Sequence, residues 1–339
     1  MKIGVMGAGA IGCFVGGKLM TVGADVTFVG RPRVQQDLSH GLTLTELPRR
    51  GRAVPEQRLE TPKVETRVEA LADADMVLVA VKSGQTSDVG AELDGVLPEH
   101  TLVVSLQNGL HNADKLRAVM PRRQVLAAIV GFNVVWPAEA TLRRATSGPL
   151  VFESTSDERL ATLVRLLEKA GLEVETSDEI RPVQWSKLVI NLNNAISALT
   201  DVPTTELVFE ARYRRILKAV MAEALGVLRA AGVRTARLGP LPPALFPTLL
   251  SLPSWLLRRM MSIQMDIDPE ARSSMWEDLE RRRLTEVDEL NGEIVKLAEE
   301  RGLRAPLNAR IVELVHQAEQ KASGSPKLGA DELWARLSH

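Results

Sequence analysis

The chain has 339 residues, 45% hydrophobic and 25% charged, with 42 Lys and Arg against 43 Asp and Glu for a formal net charge of −1. That length holds two domains with separate cores, and the near-neutral balance gives no electrostatic footprint for nucleic acid. A single cysteine, Cys13, excludes an internal disulfide, and the five histidines, scattered without ligand spacing, argue against a zinc site or any other metal centre.

In chain order, MKIGVM reads as a short buried strand. It runs directly into GAGAIG (Gly7 to Gly12) and then the small-residue helix FVGGKLM. In that context a G-x-G-x-x-G pattern predicts a bound dinucleotide rather than an idle glycine turn. Gly7 permits the tight turn, Gly9 lets a pyrophosphate approach the backbone, and Gly12 lets helix and strand pack closely. The helix start, Ala8, Ala10 and Ile11 included, offers free N–H groups and a positive dipole end. Cys13, inside this helix, reads as a small packing residue. The second strand is DVTFVG. An NAD-specific protein places Asp or Glu at its end, on the ribose 2′-hydroxyl, but here Gly30 is followed by Arg31-Pro32-Arg33. A guanidinium there suits a 2′-phosphate, so the expected cofactor is NADP(H), with Arg31 as a contact.

Further apolar strands are expected at DMVLVAVK (Asp75 to Lys82), TLVVSLQNG (Thr101 to Gly109) and QVLAAIVGF (Gln124 to Phe132). The alternation in VVWPAEATLRRATSGPLVFES suggests an antiparallel extension at the sheet edge. A helix near 156–170 and a strand at 172–176 complete a Rossmann-type, doubly wound parallel α/β domain over residues 1–177. Beyond about 180 the signal turns helical, with helices expected at 184–200, 205–231, 254–265, 269–302 and 306–321. Asp268-Pro269-Glu270 is read as a helix start. The expected organisation is a helical domain over 178–322, a cleft between the two domains, and a linker with a short terminal helix over 323–339.

The segment from Leu241 to Met261 is the most apolar, yet prolines and Arg258-Arg259 interrupt it. It does not read as a membrane span. It is compatible with a homodimer contact or with a cover for the cleft. With no secretory signal at the start, a cytoplasmic location is expected.

Three places carry chemistry beyond the glycine motif. Lys82 and Asn108-Gly109 end predicted parallel strands, and that edge of an open α/β sheet faces the ligand crevice. In QWSKLVINLNNAISAL, Lys187, Asn191 and Asn194 project within an arc of about 60° on an ideal helix, with Asn193 well off that face. A polar stripe amid apolar neighbours is costly unless a ligand, water or its own members satisfy it. Ser273, Ser274, Asp278 and Glu286 stand on the long helix expected over 269–302, where mixed charges ordinarily form a solvated face. Ser274 and Glu286 lie about 120° apart on an ideal helix, so spacing alone does not unite them.

GAGAIG, VGR at Arg31, AVK at Lys82, LQNG at Asn108, WSKL at Lys187 and the block ARSSM…DLE…TEVDELNGEIV together resemble the ketopantoate reductase (2-dehydropantoate 2-reductase) family. The resemblance runs from residue 1 to about 320, and the last two motifs in their order are its specific part. It implies a 6-phosphogluconate-dehydrogenase-like helical domain after the Rossmann-type domain. It implies NADPH-dependent reduction of 2-dehydropantoate, a small 2-keto acid, to (R)-pantoate on the route to pantothenate and coenzyme A. By the same resemblance Lys187 is catalytic and Glu286 its carboxylate partner. Asn108, Asn191 and Ser274 hold substrate with Asp278 nearby, while Arg31, Lys82 and Asn108 join the glycine loop around the cofactor. The family often has a second asparagine eight residues after the lysine. Here that position is Ala195, so Asn194, or its neighbour Asn193, takes the place.

These residue types suit the chemistry. Reducing a ketone puts negative charge on its oxygen, which an ammonium can stabilise and protonate. Burial would lower the lysine pKa while Glu286 would oppose that shift and orient the amine. Two other readings fit the same motifs: a paralogue reducing another 2-keto acid or an imine, and a non-catalytic NADP(H) sensor.

Overall fold

The computed structural model describes residues 1–48, 53–238, 242–264 and 272–338. They divide into two units, Met1–Ile180 and Arg181–His339. The first unit opens with β1 (Lys2–Met6), α1 (Ala10–Met20), β2 (Asp25–Val29), α2 (Pro32–Asp37), β3 (Leu42–Glu46), β4 (Gln57–Leu59) and β5 (Lys63–Glu65). It continues through β6 (Met76–Val79), α3 (Thr86–Val96), β7 (Leu102–Ser105), α4 (Asn112–Val119), β8 (Val125–Val130), β9 (Val134–Ala138) and β10 (Thr141–Arg144). It closes with β11 (Leu150–Glu153), α5 (Glu158–Lys169) and β12 (Val174–Ser177).

One sheet has the order β12-β11-β8-β7-β6-β1-β2-β5. From β5 to β8 every pairing is parallel; β11 then pairs antiparallel with β8 and parallel with β12. The central strands are buried along their whole length, as expected where both faces are covered and the side chains read as unbroken Val, Leu and Ile runs. β1 has β2 on one side and β6 on the other, so the chain reverses its direction of growth there. That is the switch point at which ligands bind in open α/β sheets. The Rossmann-type α/β fold is as expected.

The 134–154 stretch corrects the expectation of a single edge extension. Only β11 joins the large sheet. β10 pairs with β9 on one side and with β3 on the other, in a second sheet of order β4-β3-β10-β9. Sequence reading assigned no strands between 42 and 65, because these are short, charged and pair with segments far along the chain. Glu46 on β3 is buried and accepts from Lys18 of α1 (2.9 Å) and Arg144 of β10 (2.8 Å), while Lys18 also donates to Gln57 beside it (2.7 Å). Buried charge is tolerable only when paired in this way. The triad ties the second sheet to the helix that follows the glycine turn.

The second unit has helices and no strand among its described residues. It holds α6 (Ile180–Asn191), α7 (Asn193–Thr200), α8 (Thr204–Phe209), α9 (Ala211–Ala230), α10 (Phe246–Leu249), α11 (Ser254–Gln264), α12 (Ser274–Glu280), α13 (Glu293–Glu300), α14 (Pro306–Lys321) and α15 (Ala330–Leu337). Three expected helices are interrupted. The 184–200 helix is broken at Leu192, whose N–H reaches back only three residues to the Val189 carbonyl (3.4 Å). The 205–231 helix is split by Glu210, which is extended and caps α9 by accepting from the Arg212 and Tyr213 N–H groups. The 269–302 helix is a correction. Ser273 is extended and caps α12, Arg282 takes a left-handed φ of 54°, and a single wide turn at Asp288–Gly292 precedes α13. Ser274 and Glu286 therefore do not share a helix. The proposed start at Asp268-Pro269-Glu270 lies outside the described residues, as does Leu241.

No described helix is long and apolar enough to cross a membrane.

Candidate functional site

In the first unit the glycine turn is built by backbone necessity. Gly7 has φ +105°, and a Cβ there would meet the Ala80 and Val81 backbone at 2.8 Å. A Cβ on Gly12 would stand 2.2 Å from the Gly7 carbonyl. Both positions exclude any side chain. Gly9 is different: it has nothing within 4 Å of its would-be Cβ, so glycine there keeps clear a space that the protein itself does not fill. The first helical bond runs from Cys13 N–H to the Gly9 carbonyl (2.9 Å), so Ala10, Ile11 and Gly12 carry the N–H groups that a helix start leaves for outside acceptors. An open approach and free donors at a positive helix end fit a pyrophosphate. Gly7 and Ala8 N–H groups instead bond the Val29 carbonyl (3.0 and 3.2 Å), fastening the turn to the end of β2. Cys13 is buried and its thiol is pushed up to about 12 by burial, which leaves it inert.

Directly beyond β2 stand Arg31 and Arg33, both exposed. Arg33 faces Asp37 one turn on (3.5 Å), whereas the Arg31 side chain has no hydrogen bond or ion pair among the described residues. Of the two guanidiniums, Arg31 is the one unengaged. Lys82 follows β6 and is exposed; Asn108 follows β7 and is half-buried, with Gly109 at φ 86° beside it. Gly7, Arg31, Lys82 and Asn108 thus stand at one edge of four neighbouring strands, in the order β2, β1, β6, β7.

Beneath Lys82 and Asn108 lies a group of polar side chains that sequence reading did not single out. Gln107 Nε2 donates to the Val81 carbonyl (3.0 Å) and to Thr86 Oγ1 (2.7 Å), and Gln107 Oε1 accepts from Ser105 Oγ (3.0 Å). Asn112 Nδ2 donates to Ser83 Oγ (3.0 Å) and to the Asn108 carbonyl, while Asn112 Oδ1 accepts from Thr86 Oγ1 (2.8 Å). All are buried. The available signal was Ser105 and Gln107 at the end of an otherwise apolar strand.

In the second unit Lys187 and Asn191 lie one turn apart on α6, and Asn194 is in the first turn of α7. Lys187 keeps part of its surface exposed, yet the surrounding protein desolvates its ammonium and lowers its pKa to about 8. Desolvation is the cause, and the Lys187 amine has no hydrogen bond or ion pair among the described residues. Asn191 and Asn194 are buried. The side chain of Asn193 donates locally to the Ile190 carbonyl (2.5 Å), whereas the Asn194 side-chain amide has no protein partner among the described residues.

The two adjacent serines divide their work. Ser273 is buried, donates to the Asn194 carbonyl (2.9 Å) and caps α12 by accepting from Trp276 N–H (3.1 Å). Ser274 is exposed on the first turn. Asp201, left-handed at the end of α7, accepts from Trp276 Nε1 (2.8 Å) and pairs with Arg272 (3.1 Å). These contacts pin the start of α12 against α7. Asp278 is buried in α12, and Glu286 is partly exposed in the turn that follows it. Among the described residues no group of three or more His, Cys, Asp and Glu could hold a metal ion.

Known proteins are similar to this chain over nearly its whole length. The family described as ketopantoate reductase PanE/ApbA matches residues 3–157, and its C-terminal part matches residues 179–319. A PanE/ApbA family ketopantoate reductase from Ralstonia eutropha JMP134 is 33% identical, with a TM-score of 0.77 over 95% of this chain and 99% of that one. A 2-dehydropantoate 2-reductase from Halobacterium salinarum is 27% identical over 335 residues, covering 94% of this chain and 99% of its own. A D-mandelate dehydrogenase, solved with NADH and anilino(oxo)acetate, shares the fold at 22% identity and a TM-score of 0.75 over 95% of this chain and 99% of that one. On the two family matches, which together span most of its length, the chain belongs to the ketopantoate reductase family of oxidoreductases.

Proposed function

We propose that the chain is a cytoplasmic enzyme that reduces 2-dehydropantoate to (R)-pantoate with NADPH. The observation that carries this reading is Lys187, a desolvated amine with a pKa of about 8 and no protein partner among the described residues. A group so poised is still largely protonated at neutral pH and gives up its proton readily, which suits a general acid. NADPH, when bound, supplies the hydride to the ketone carbon. Lys187 stabilises the charge that develops on the carbonyl oxygen and delivers the proton to it. Glu286 is assigned to orient the amine. Asn108, Asn191, Asn194 and Ser274 are assigned to the substrate carboxylate and hydroxyl, which amides and a hydroxyl can bind without adding charge, with Asp278 nearby. Asn194 is preferred over Asn193 because the Asn193 amide is already committed to the Ile190 carbonyl.

The glycine turn, with Ala8, Ala10 and Ile11, is assigned to the pyrophosphate, and Lys82 and Asn108 to the nicotinamide end. Arg31 is assigned to the 2′-phosphate, since it is unengaged where an NAD-binding protein would place a carboxylate. The test is loss of dihydronicotinamide absorbance with 2-dehydropantoate, using NADPH and NADH in parallel. Turnover that strongly prefers NADPH supports the assignment. Tight cofactor binding without turnover on any 2-keto acid would instead mark a sensor.

A second reading is reduction of another 2-keto acid. Its support is the fold shared with D-mandelate dehydrogenase and Ala195 where the family often has asparagine. Comparing kcat/KM for 2-dehydropantoate with that for phenylglyoxylate and simpler 2-keto acids separates the two.

A further inference from the structure

We infer that Thr86, Gln107 and Asn112 are positioning residues that hold the Lys82 and Asn108 peptides in the register needed to grip the cofactor. The inference rests on the reading that Lys82 and Asn108 touch it.

The argument begins with donors and acceptors. A side-chain amide has two N–H hydrogens and an acceptor oxygen. In Gln107 both hydrogens are used, on the Val81 carbonyl and on Thr86 Oγ1, and its oxygen accepts from Ser105. In Asn112 both hydrogens are used, on Ser83 Oγ and the Asn108 carbonyl, and its oxygen faces Thr86 Oγ1. Thr86 Oγ1 is the hub. It accepts from Gln107 and presents its one proton between the Ser83 carbonyl (2.9 Å) and Asn112 Oδ1 (2.8 Å). Thr86 is fully buried, and Gln107 and Asn112 nearly so.

The ends of this lattice are informative. One is the carbonyl of Val81, the peptide that leads into Lys82. The other is the carbonyl of Asn108 itself. Two loops on neighbouring strands are thereby locked to each other through side chains that are not exposed to a ligand. Apolar packing could fill the same space, but it would not fix two peptide planes. A closed polar network does so, because each group has a required direction. Binding groups must be held within roughly half an ångström of their productive positions, and supporting hydrogen bonds are the usual means.

The test is NADPH affinity, read by fluorescence titration of the full chain. Thr86→Val keeps the shape and removes the hub; it is expected to weaken NADPH at least ~5-fold, the low end for stranding buried partners. Thr86→Ser restores the hydroxyl and is expected to recover affinity to within about 2-fold. In a Lys82→Ala, Asn108→Ala background, Thr86→Val is expected to add nothing further, since the groups it positions are gone. A purely structural role would move affinity equally in both backgrounds, and that result overturns the inference, as does wild-type affinity in folded Thr86→Val. If Lys82→Ala and Asn108→Ala each bind NADPH like wild type, the underlying assignment fails instead. Should Thr86→Val not fold, Ser105→Ala repeats the comparison, with an expected loss of about 3-fold. An equal loss in both backgrounds, or none in either, again overturns the inference.

Discussion

Replacing Lys187 with methionine sets stability against activity. The lysine pKa falls from 10.5 to about 8 through desolvation. At about 1.4 kcal/mol per pH unit, that difference means the folded state pays roughly 3 kcal/mol to hold the ammonium. Below pH 8 the lysine is protonated in both folded and unfolded chains, so the cost is fully present. Between about 8 and 10.5 the folded chain has released the proton while the unfolded chain keeps it, so stability rises with pH. Above that window the cost is gone. Lys187→Met, with an apolar side chain of similar length, should therefore stabilise the second unit at pH 7 by up to about 3 kcal/mol. A unit of this size shifts by about 2–4 °C per kcal/mol, giving a gain in Tm of up to roughly 10 °C. Differential scanning calorimetry at pH 7 and near pH 10 should show that gain shrinking sharply at the higher pH. Reductive turnover should fall at least ~10²-fold. A variant no more stable than wild type at pH 7, or equally stabilised at both pH values, would refute the reasoning about this amine.

In the unmodified protein, kcat/KM for reduction should fall as pH rises through about 8, where Lys187 loses its proton; a profile flat to pH 10 would remove it as the acid. Gly12→Ala should destabilise the first unit by about 1–3 kcal/mol, because its Cβ meets a backbone carbonyl rather than a yielding side chain. Gly9→Ala should leave Tm nearly unchanged yet weaken NADPH at least ~10-fold, since its Cβ enters only the open approach; equal effects on stability and affinity would contradict that division. Arg31→Ala should raise the Kd for NADPH by about 10–100-fold with little change for NADH, the loss expected for a charge-assisted pair. Ser273→Ala should cost about 1–2 kcal/mol through its lost cap, whereas Ser274→Ala should raise KM with stability unchanged.

The parts legible in the sequence are those fixed by local geometry. The glycine turn could be read because no other residue fits Gly7 or Gly12 and nothing occupies the space at Gly9. Lys187 and Asn191 could be read because four residues make one helical turn. The helix breaks could not. Periodicity persists on both sides of Glu210 and of the turn at Arg282, and neither position carries glycine or proline. The second sheet was invisible for another reason: β3 and β10 are mutual partners separated by long stretches of sequence, and Glu46, Lys18 and Arg144 each look like surface charges until they meet. Thr86, Gln107 and Asn112 were missed in the same way, since a polar residue's partners cannot be listed from its neighbours in the chain.

The second sheet also bears on how the protein is made. A ribosome releases β3 and β4 long before β9 and β10 exist, so the nascent chain carries an unpaired strand edge and a carboxylate awaiting its second cation. Loops of that span close slowly and expose sticky edges while they do. A fragment ending before residue 134 would keep the whole glycine turn, yet leave Glu46 without Arg144 and β3 without β10. The first unit thus cannot be trimmed to its first βαβ segment, and expression constraints on truncated or permuted versions should fall at that seam.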